Sequence, residues 1–284
     1  MRSIVAVFAL ALVACGSFGA IVPEPEADDD DAVTKKKESY ATPINGALPV
    51  DHTTNTSPAP PRLPAGVAAF PGSQLFEPAQ TPAPAVVVLH GSEGGEDAGY
   101  RLFAEELSQA GFVVLALCWS GCSGLPAPNG PLPLEVVAGA GTFLRQSPST
   151  NGKVGVFGFE RGGEAALVLT SMSESASFDA LATFATTDVV RSDWLLGGQR
   201  IALGTTIPVT AFRGAMLITH GVEDPIWPVM RALDLVEMRE DASANLSTES
   251  HFFAEGGHTL TTTEDKTALR EGAATFFRDQ LSGP

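Results

Sequence analysis

One stretch of the sequence has the spacing of a nucleophile elbow and an unusual residue at its tip. Residues 155–163 are GVFGFERGG, and the elbow pattern is small-x-nucleophile-x-small between a strand and a helix. Gly158 and Gly162 occupy the small positions, where the backbones of the strand and the helix pass closely. The tip is ordinarily Ser, Cys or Asp, and in this chain it is Glu160.

Two further residues follow the tip in the order acid, then base. Asp224 comes shortly after a predicted strand that ends at Thr219, and His258 follows the last predicted strand. In a triad of this kind the acid orients the histidine, and the histidine activates the nucleophile. We therefore predict that Glu160, Asp224 and His258 are the catalytic positions.

A glycine-rich segment supplies candidate donors for a developing oxyanion. Residues 90–95 (HGSEGG) follow a predicted strand that ends at Leu89, and backbone N–H groups in such a turn can face a negative charge. We predict an oxyanion hole formed by Ser92 and by Arg161, the residue after the tip. For His90 we favour a structural role, with its ring held by local hydrogen bonds.

The glutamate at the tip leaves three chemistries open. Beside His258, the Glu160 carboxylate favours the imidazolium, which is not a general base, and it would itself occupy the oxyanion hole. In that case the protein is an inactive hydrolase relative with a binding or structural role. Alternatively, Glu160 attacks as a nucleophile one methylene longer than Asp, or it acts as a base on water.

Alternating strand and helix patterns predict the scaffold that positions these residues. Apolar runs predict strands, and helical spacing with Gly or Pro at the ends predicts helices. We expect an α/β fold, a mostly parallel sheet with helices on both faces, whose chemistry lies at the carboxyl ends of the strands. Residues 187–213 have no clear period, so a small cap and a long connection both stay open. The predicted strands are 85–89, 112–117, 154–157, 178–183, 216–219 and 249–253, and the predicted helices are 100–110, 134–144, 228–238, 266–281 and one starting at 164.

The N-terminus has the features of an export signal. Arg2 precedes an apolar run over residues 4–13, too short to span a bilayer, and residues 12–15 (LVAC) resemble a bacterial lipobox. We predict a lipoprotein signal peptide over residues 1–15, with Cys15 lipidated as the mature N-terminus. Ordinary cleavage after Ala20 is the competing interpretation, but it places Phe18 three residues before the cut.

Composition divides the rest of the chain and excludes one class of partner. Residues 16–64 are rich in Pro, Ala and Asp and are predicted to be a disordered tether, and residues 65–284 to be the folded domain. The net charge is −16, which argues against nucleic acid as a partner. The predicted lipid at Cys15 and the tether together predict a lipid-anchored protein of the bacterial cell envelope, at the outer membrane or the periplasmic face.

Two cysteines remain once Cys15 is assigned to lipidation. Cys118 and Cys122 are four residues apart, and a disulfide is favoured in an oxidising compartment. Two buried or reduced thiols are the alternative. This spacing alone does not suit zinc, which needs further ligands, so we predict no metal and no cofactor.

Several segments together resemble α/β-hydrolases of the dienelactone-hydrolase type. The closest resemblance is to the C-terminal domain that acyl-CoA thioesterases share with bile acid-CoA:amino acid N-acyltransferases, over roughly residues 65–281. The resemblance implies an ester or thioester substrate and a Ser or Cys nucleophile at position 160, with Asp224 and His258 as its partners. This chain differs there by having Glu160. The matching segments are 117–126, 133–135, 153–164, 178–180, 221–228 and 256–258.

Lipidation of Cys15 can be tested directly. Cells that express the full chain with a clickable fatty-acid analogue should label it, and Cys15→Ser should abolish the label because the acyl acceptor is lost. Cys118→Ser is the matched control and should keep the label. An unlabelled wild-type chain, processed after Ala20, would contradict the prediction.

Overall fold

The computed structural model describes residues 72–122, 131–173, 178–242 and 246–282. All of them belong to one compact unit, Pro58–Pro284. Several predictions lie outside the described residues: the signal peptide with Cys15, the tether over residues 16–64, residues 65–71 of the predicted domain, and residues 123–126 of the matching segment 117–126.

Strands and helices alternate along the described chain as the sequence pattern predicts. The strands are β1 (Gln74–Phe76), β2 (Ala83–Leu89), β3 (Val113–Leu117), β4 (Leu132–Pro133), β5 (Thr150–Phe159), β6 (Ala180–Phe184), β7 (Trp194–Leu196), β8 (Gln199–Arg200), β9 (Ala215–Gly221) and β10 (Thr248–Phe253). The helices are α1 (Ala98–Gln109), α2 (Glu135–Gln146), α3 (Arg161–Met172), α4 (Met230–Ala242) and α5 (Thr263–Leu281), with a short 3₁₀ helix at Val209–Ala211. None of these helices combines the length and the apolar character needed to cross a membrane.

Seven strands form the central sheet, in the order β1-β3-β2-β5-β6-β9-β10. β1 pairs antiparallel with β3, and every other neighbouring pair is parallel. The predicted α/β fold with a mostly parallel sheet is confirmed. Because the connections between parallel strands cross the sheet, the loops after β2, β5, β9 and β10 all emerge at the same edge.

Helices cover both faces of this sheet, which explains the uninterrupted apolar strands. In β2, Val87 and Leu89 pack with α2, α3 and α4 on one face, whereas Val86 and Val88 pack with α1 and α5 on the other. A strand that is buried on both sides has no solvent-facing positions, so its sequence shows a continuous apolar run.

The sequence analysis missed the shortest strands. β4, β7 and β8 form a separate three-stranded sheet, with β4 parallel to β7 and β7 antiparallel to β8. Strands of two or three residues are too short to show an alternating pattern. For residues 187–213 the sequence allowed either a small cap or a long connection. The structure has a small hairpin there, formed by β7 and β8.

Glu164 in the first turn of α3 holds this hairpin segment on the helix. Its side chain is buried, and its carboxylate accepts four hydrogen bonds from the segment. The donors are Arg191 N at 2.7 Å, Ser192 N at 2.9 Å, Ser192 Oγ at 3.1 Å and Trp194 Nε1 at 2.7 Å. A buried carboxylate with this many donors is well satisfied, and removing it would leave the buried indole N–H of Trp194 without an acceptor.

The two small positions of the elbow bring α3 against the strand ends. A Cβ on Gly158 would overlap the backbone of Gly162 and Gly163. A Cβ on Gly162 would lie 2.5 Å from Leu89 O and 2.6 Å from His90 O. Only glycine therefore lets the first turn of α3 pass this closely to the end of β2.

A pair of Gly→Ala substitutions tests this packing constraint. Gly162→Ala should lower the free energy of unfolding by about 2 kcal/mol or more, because the new methyl group meets backbone atoms that cannot move easily. Gly272→Ala is the matched control: this exposed glycine of α5 has open space around its Cβ position, and the change should stabilise the chain by up to about 1 kcal/mol. Urea unfolding gives both values, and equal effects would contradict the close-passage argument.

Candidate active site

The sheet edge brings the three predicted catalytic residues together. Glu160 follows β5, Asp224 follows β9 and His258 follows β10. Ser92, a predicted oxyanion donor, follows β2 at the same edge. The side chains of these four residues form one connected chain of hydrogen bonds and ion pairs.

Glu160 has the strained backbone of an elbow tip. Its φ is 46° and its ψ is −113°, a combination that L-residues rarely adopt. The surrounding backbone holds the turn, because Glu160 N donates to Phe184 O at 2.9 Å and Glu160 O accepts from Glu164 N at 3.0 Å. The elbow predicted from GVFGFERGG is therefore present, with the carboxylate at its tip.

The Glu160 carboxylate binds one of the predicted oxyanion donors. Its Oε2 accepts from Ser92 N at 2.5 Å and from Ser92 Oγ at 2.6 Å. Arg161, the second predicted donor, is the first residue of α3, where backbone N–H groups lack an intrahelical acceptor. The Arg161 side chain lies elsewhere: its Nε donates to Ser192 Oγ at 3.2 Å, and its guanidinium lies 5.9 Å from the ring centre of Trp194.

Asp224 and His258 have the geometry of an acid–base pair. His258 Nδ1 donates to Asp224 Oδ2 at 2.8 Å, and His258 Nε2 lies 3.8 Å from Glu160 Oε1. The Asp224 side chain is fully buried, and its Oδ1 accepts from Ile226 N at 2.8 Å and Trp227 N at 2.9 Å. These backbone donors fix the carboxylate and leave Oδ2 for the histidine.

A second histidine lies beside the same carboxylate. His220, in β9, has its Nε2 2.7 Å from Trp227 O and 3.4 Å from Asp224 Oδ2. Burial lowers the pKa of His220, and the bond to Trp227 and the charge of Asp224 only partly oppose that effect. His220 is not among the predicted site residues, and the sequence feature that could have indicated it is its position near the end of the strand before Asp224.

Charge pairing sets the protonation of the site. Burial alone would lower the pKa of His258, but the bonds and charges of Asp224 and Glu160 outweigh it and raise that pKa to about 9. Burial alone would raise the pKa of Glu160, but the His258 imidazolium 3.8 Å away and the hydrogen bonds from Ser92 lower it overall. The pKa of Asp224 is lowered for the same kind of reason. At neutral pH the site therefore holds an imidazolium between two carboxylates.

A further carboxylate lies next to Glu160 across Gly91. Both Glu93 Oε2 and Glu160 Oε2 are 2.6 Å from the point that a Cβ on Gly91 would occupy, and Gly91 N donates to Glu93 Oε1 at 2.7 Å. The pKa of Glu93 is raised by desolvation of its carboxyl group and by repulsion from Glu160 and Asp97. The hydrogen bond from Gly91 opposes this rise in pKa only in part. The sequence analysis missed this neighbour, although it lies in the predicted oxyanion segment.

The two cysteines outside the N-terminal segment are adjacent at the end of β3. The Cα atoms of Cys118 and Cys122 are 6.1 Å apart and their sulfur atoms are in contact, which is the separation that a disulfide requires. Their oxidation in the exported protein stays a prediction. His90 is buried against them, and its Nδ1 lies 2.7 Å from Gly91 O.

The protonation of His258 gives a pH prediction. Because its folded-state pKa, about 9, exceeds the unfolded value of about 6.5, its stabilising contribution is complete below pH 6.5. That contribution is lost as the pH rises through 9.

An NMR titration measures the same pKa directly. His258 should titrate near 9, and Glu160→Gln should lower its pKa by about one unit or more, because the substitution removes a paired charge.

Two variants serve as controls for this titration. His258→Asn identifies the resonance, since one of the five histidine signals disappears. Glu223→Gln is the matched charge control, because Glu223 is exposed, and it should leave the titration of His258 nearly unchanged. A wild-type His258 that titrates near 6.5 would contradict the paired-charge description.

Comparison with known proteins identifies the architecture. No protein-family model matches the chain, and no curated protein matches it.

Solved structures do match the chain. Est1E from Butyrivibrio proteoclasticus with bound ferulic acid is 14% identical with a TM-score of 0.58, over 74% of this chain and 95% of that chain. Dienelactone hydrolase from Anabaena variabilis is 20% identical with a TM-score of 0.50, over 74% and 91%. A propionate-bound thermophilic esterase from the Planctomycetes species Thermogutta terrifontis is 19% identical with a TM-score of 0.56, over 75% and 91%. At these identities the likeness concerns the fold alone, and the chain has the α/β-hydrolase fold.

Proposed function

We propose that this protein is a hydrolase-fold binding protein whose ester- or thioester-hydrolysing machinery is held inactive by Glu160. The observation that carries the proposal is the double hydrogen bond from Ser92 N and Ser92 Oγ to Glu160 Oε2. The proposal includes a lipid anchor at Cys15, which would hold the protein at the cell envelope.

The first support is the occupied oxyanion position. In an esterase of this fold, backbone N–H groups stabilise the negative charge that develops on the substrate carbonyl oxygen. Here the Ser92 N–H already binds a full negative charge, and hydrogen bonds to ionised acceptors are stronger than those to neutral carbonyls. An ester carbonyl would therefore have to displace a carboxylate that is tethered to the site.

The second support is the state of the base. A histidine that activates a nucleophile must accept a proton, and an imidazolium cannot do so. The Glu160 and Asp224 carboxylates raise the pKa of His258 to about 9. At neutral pH the ring is therefore mainly protonated.

The same contacts argue against Glu160 as a working nucleophile or base. Its Oε2 accepts two hydrogen bonds from Ser92 and its Oε1 faces the His258 imidazolium at 3.8 Å. The charge of His258 and the hydrogen bonds from Ser92 also lower the pKa of Glu160. A stabilised carboxylate is both a weaker nucleophile and a weaker base than a free one.

The ligand class follows from what surrounds the altered residue. The Asp224–His258 pair and Ser92 are the partners that a serine or cysteine acyl-transfer site uses. The solved neighbours include esterases and a dienelactone hydrolase, which supports a small carboxylic ester. The thioester alternative rests on the resemblance to acyl-CoA thioesterases.

Reintroducing a hydroxyl nucleophile tests the proposal. Glu160→Ser should raise hydrolysis of short-chain p-nitrophenyl esters or thioesters by about 10²-fold or more over wild type. The change supplies the nucleophile, frees the Ser92 N–H and removes one of the charges that keep His258 protonated. Glu160→Gln is the matched control: it removes the charge without adding a nucleophile and should stay at background, as should Glu160→Ser combined with His258→Ala.

Two outcomes would contradict the proposal in different ways. If wild type hydrolyses an ester and Glu160→Gln abolishes that activity, Glu160 is a working carboxylate. Incorporation of ¹⁸O from labelled water into Glu160 during a single turnover would then indicate nucleophilic attack. If Glu160→Ser folds but acts on no ester or thioester tested, the site does not retain a silenced hydrolase.

A further inference from the structure

We propose that His90, Cys118 and Cys122 form a binding site for one Cu(I) ion when the two cysteines are reduced. Each side chain offers one ligand atom, all three residues are buried, and the ligand atoms lie within 4.8 Å of one another. The site is distinct from the Glu160 centre and does not depend on the function proposed for it.

The sheet brings these residues together from distant parts of the sequence. His90 directly follows β2, and Cys118 directly follows the neighbouring parallel strand β3. Since parallel neighbours end at the same edge, the two residues become adjacent although 28 positions separate their numbers. Cys122 returns to the same point four positions after Cys118.

The histidine ring presents an unpaired nitrogen. His90 Nδ1 lies 2.7 Å from Gly91 O, and a carbonyl oxygen only accepts, so Nδ1 carries the hydrogen and Nε2 keeps a lone pair. Within the described residues this buried Nε2 has no hydrogen-bond partner, and His90 is only 1% exposed. Metal-bound histidines show this arrangement, in which a backbone carbonyl holds one nitrogen while the other coordinates.

Two aromatic side chains hold the ring in this orientation. Trp119 stacks on the His90 ring with centroids 5.1 Å apart, and Tyr100 meets its edge at 5.6 Å. Tyr100 is itself fixed, because its hydroxyl group donates to Val88 O at 2.6 Å and to Leu117 O at 3.0 Å. The imidazole is therefore positioned before any ion arrives.

The space around the sulfur atoms is kept open by a glycine. A Cβ on Gly95 would lie 2.5 Å from Cys118 Sγ, so a larger residue would press on that ligand. In the oxidised chain the sulfurs bind each other and offer no thiolate. In the reduced chain, coordination releases the two thiol protons and places two thiolates beside the imidazole.

The ligand set selects the ion. Thiolates favour soft ions such as Cu(I) and Zn(II), but structural zinc is almost always four-coordinate. The group contains three ligating side chains among the described residues. Two thiolates and one imidazole complete a trigonal Cu(I) site, whereas Zn(II) would need a fourth ligand.

The experiment uses the full chain with Cys15→Ser, so that of the three cysteines only Cys118 and Cys122 remain. The protein is reduced with a phosphine, freed of it, and titrated anaerobically with Cu(I) against the chromophoric competitor bicinchoninate. We expect one Cu(I) per chain, with X-ray absorption showing two sulfur neighbours and one nitrogen neighbour. The disulfide form should take up none.

Substitutions separate this site from general copper binding. His90→Phe keeps a ring that can stack on Trp119 and should weaken Cu(I) binding at least tenfold, and Cys118→Ser combined with Cys122→Ser should abolish it. His251→Phe is the matched control, since His251 is exposed, and binding should not change.

Three outcomes would overturn the proposal: the reduced parent binds no more Cu(I) than the double serine variant, His90→Phe binds Cu(I) as tightly as the parent, or the protein binds only Zn(II). Should His90→Phe fail to fold, absence of the nitrogen neighbour in the parent overturns it instead.

Discussion

The close passage of α3 against the ends of β2 and β5 is the constraint on which the site depends. Gly158 and Gly162 permit it, since a side chain at either position would overlap backbone atoms. The approach brings the elbow tip near the loop after β2, and the Glu160 carboxylate reaches Ser92 there. Where the resemblance implies a short hydroxyl or thiol, this chain therefore has a carboxylate that binds Ser92, the predicted oxyanion donor.

Charge balance then explains why this arrangement is stable. Glu160 and Asp224 lie on either side of His258, and the imidazolium offsets part of the cost of holding two carboxylates in a largely enclosed site. Each carboxylate has additional donors, Ser92 for Glu160 and the loop backbone at Ile226 and Trp227 for Asp224. These groups satisfy one another without a bound substrate.

Sequence reasoning succeeded where the signal was local and repeated. The doubly buried strands appear as apolar runs, and the elbow, Asp224 and His258 each follow a strand in a fixed order. It failed for contacts that depend on strand order: Glu164 meets Trp194 across 30 positions, and His90 meets Cys118 only because β2 and β3 are neighbours. The spacing of the two cysteines could not point to the proposed Cu(I) site, because its third proposed ligand, His90, follows a different strand.

The Glu160 contacts also change how the edge of the sheet can move. The bond to Ser92 joins residues 68 positions apart, and the pairing with His258 extends the link to the loop after β10. With serine at the elbow these loops would not be cross-linked through its side chain. Here one ionic cluster joins them, so we expect the opening of one segment to be coupled to the others, with similar opening free energies for their backbone amides in hydrogen exchange.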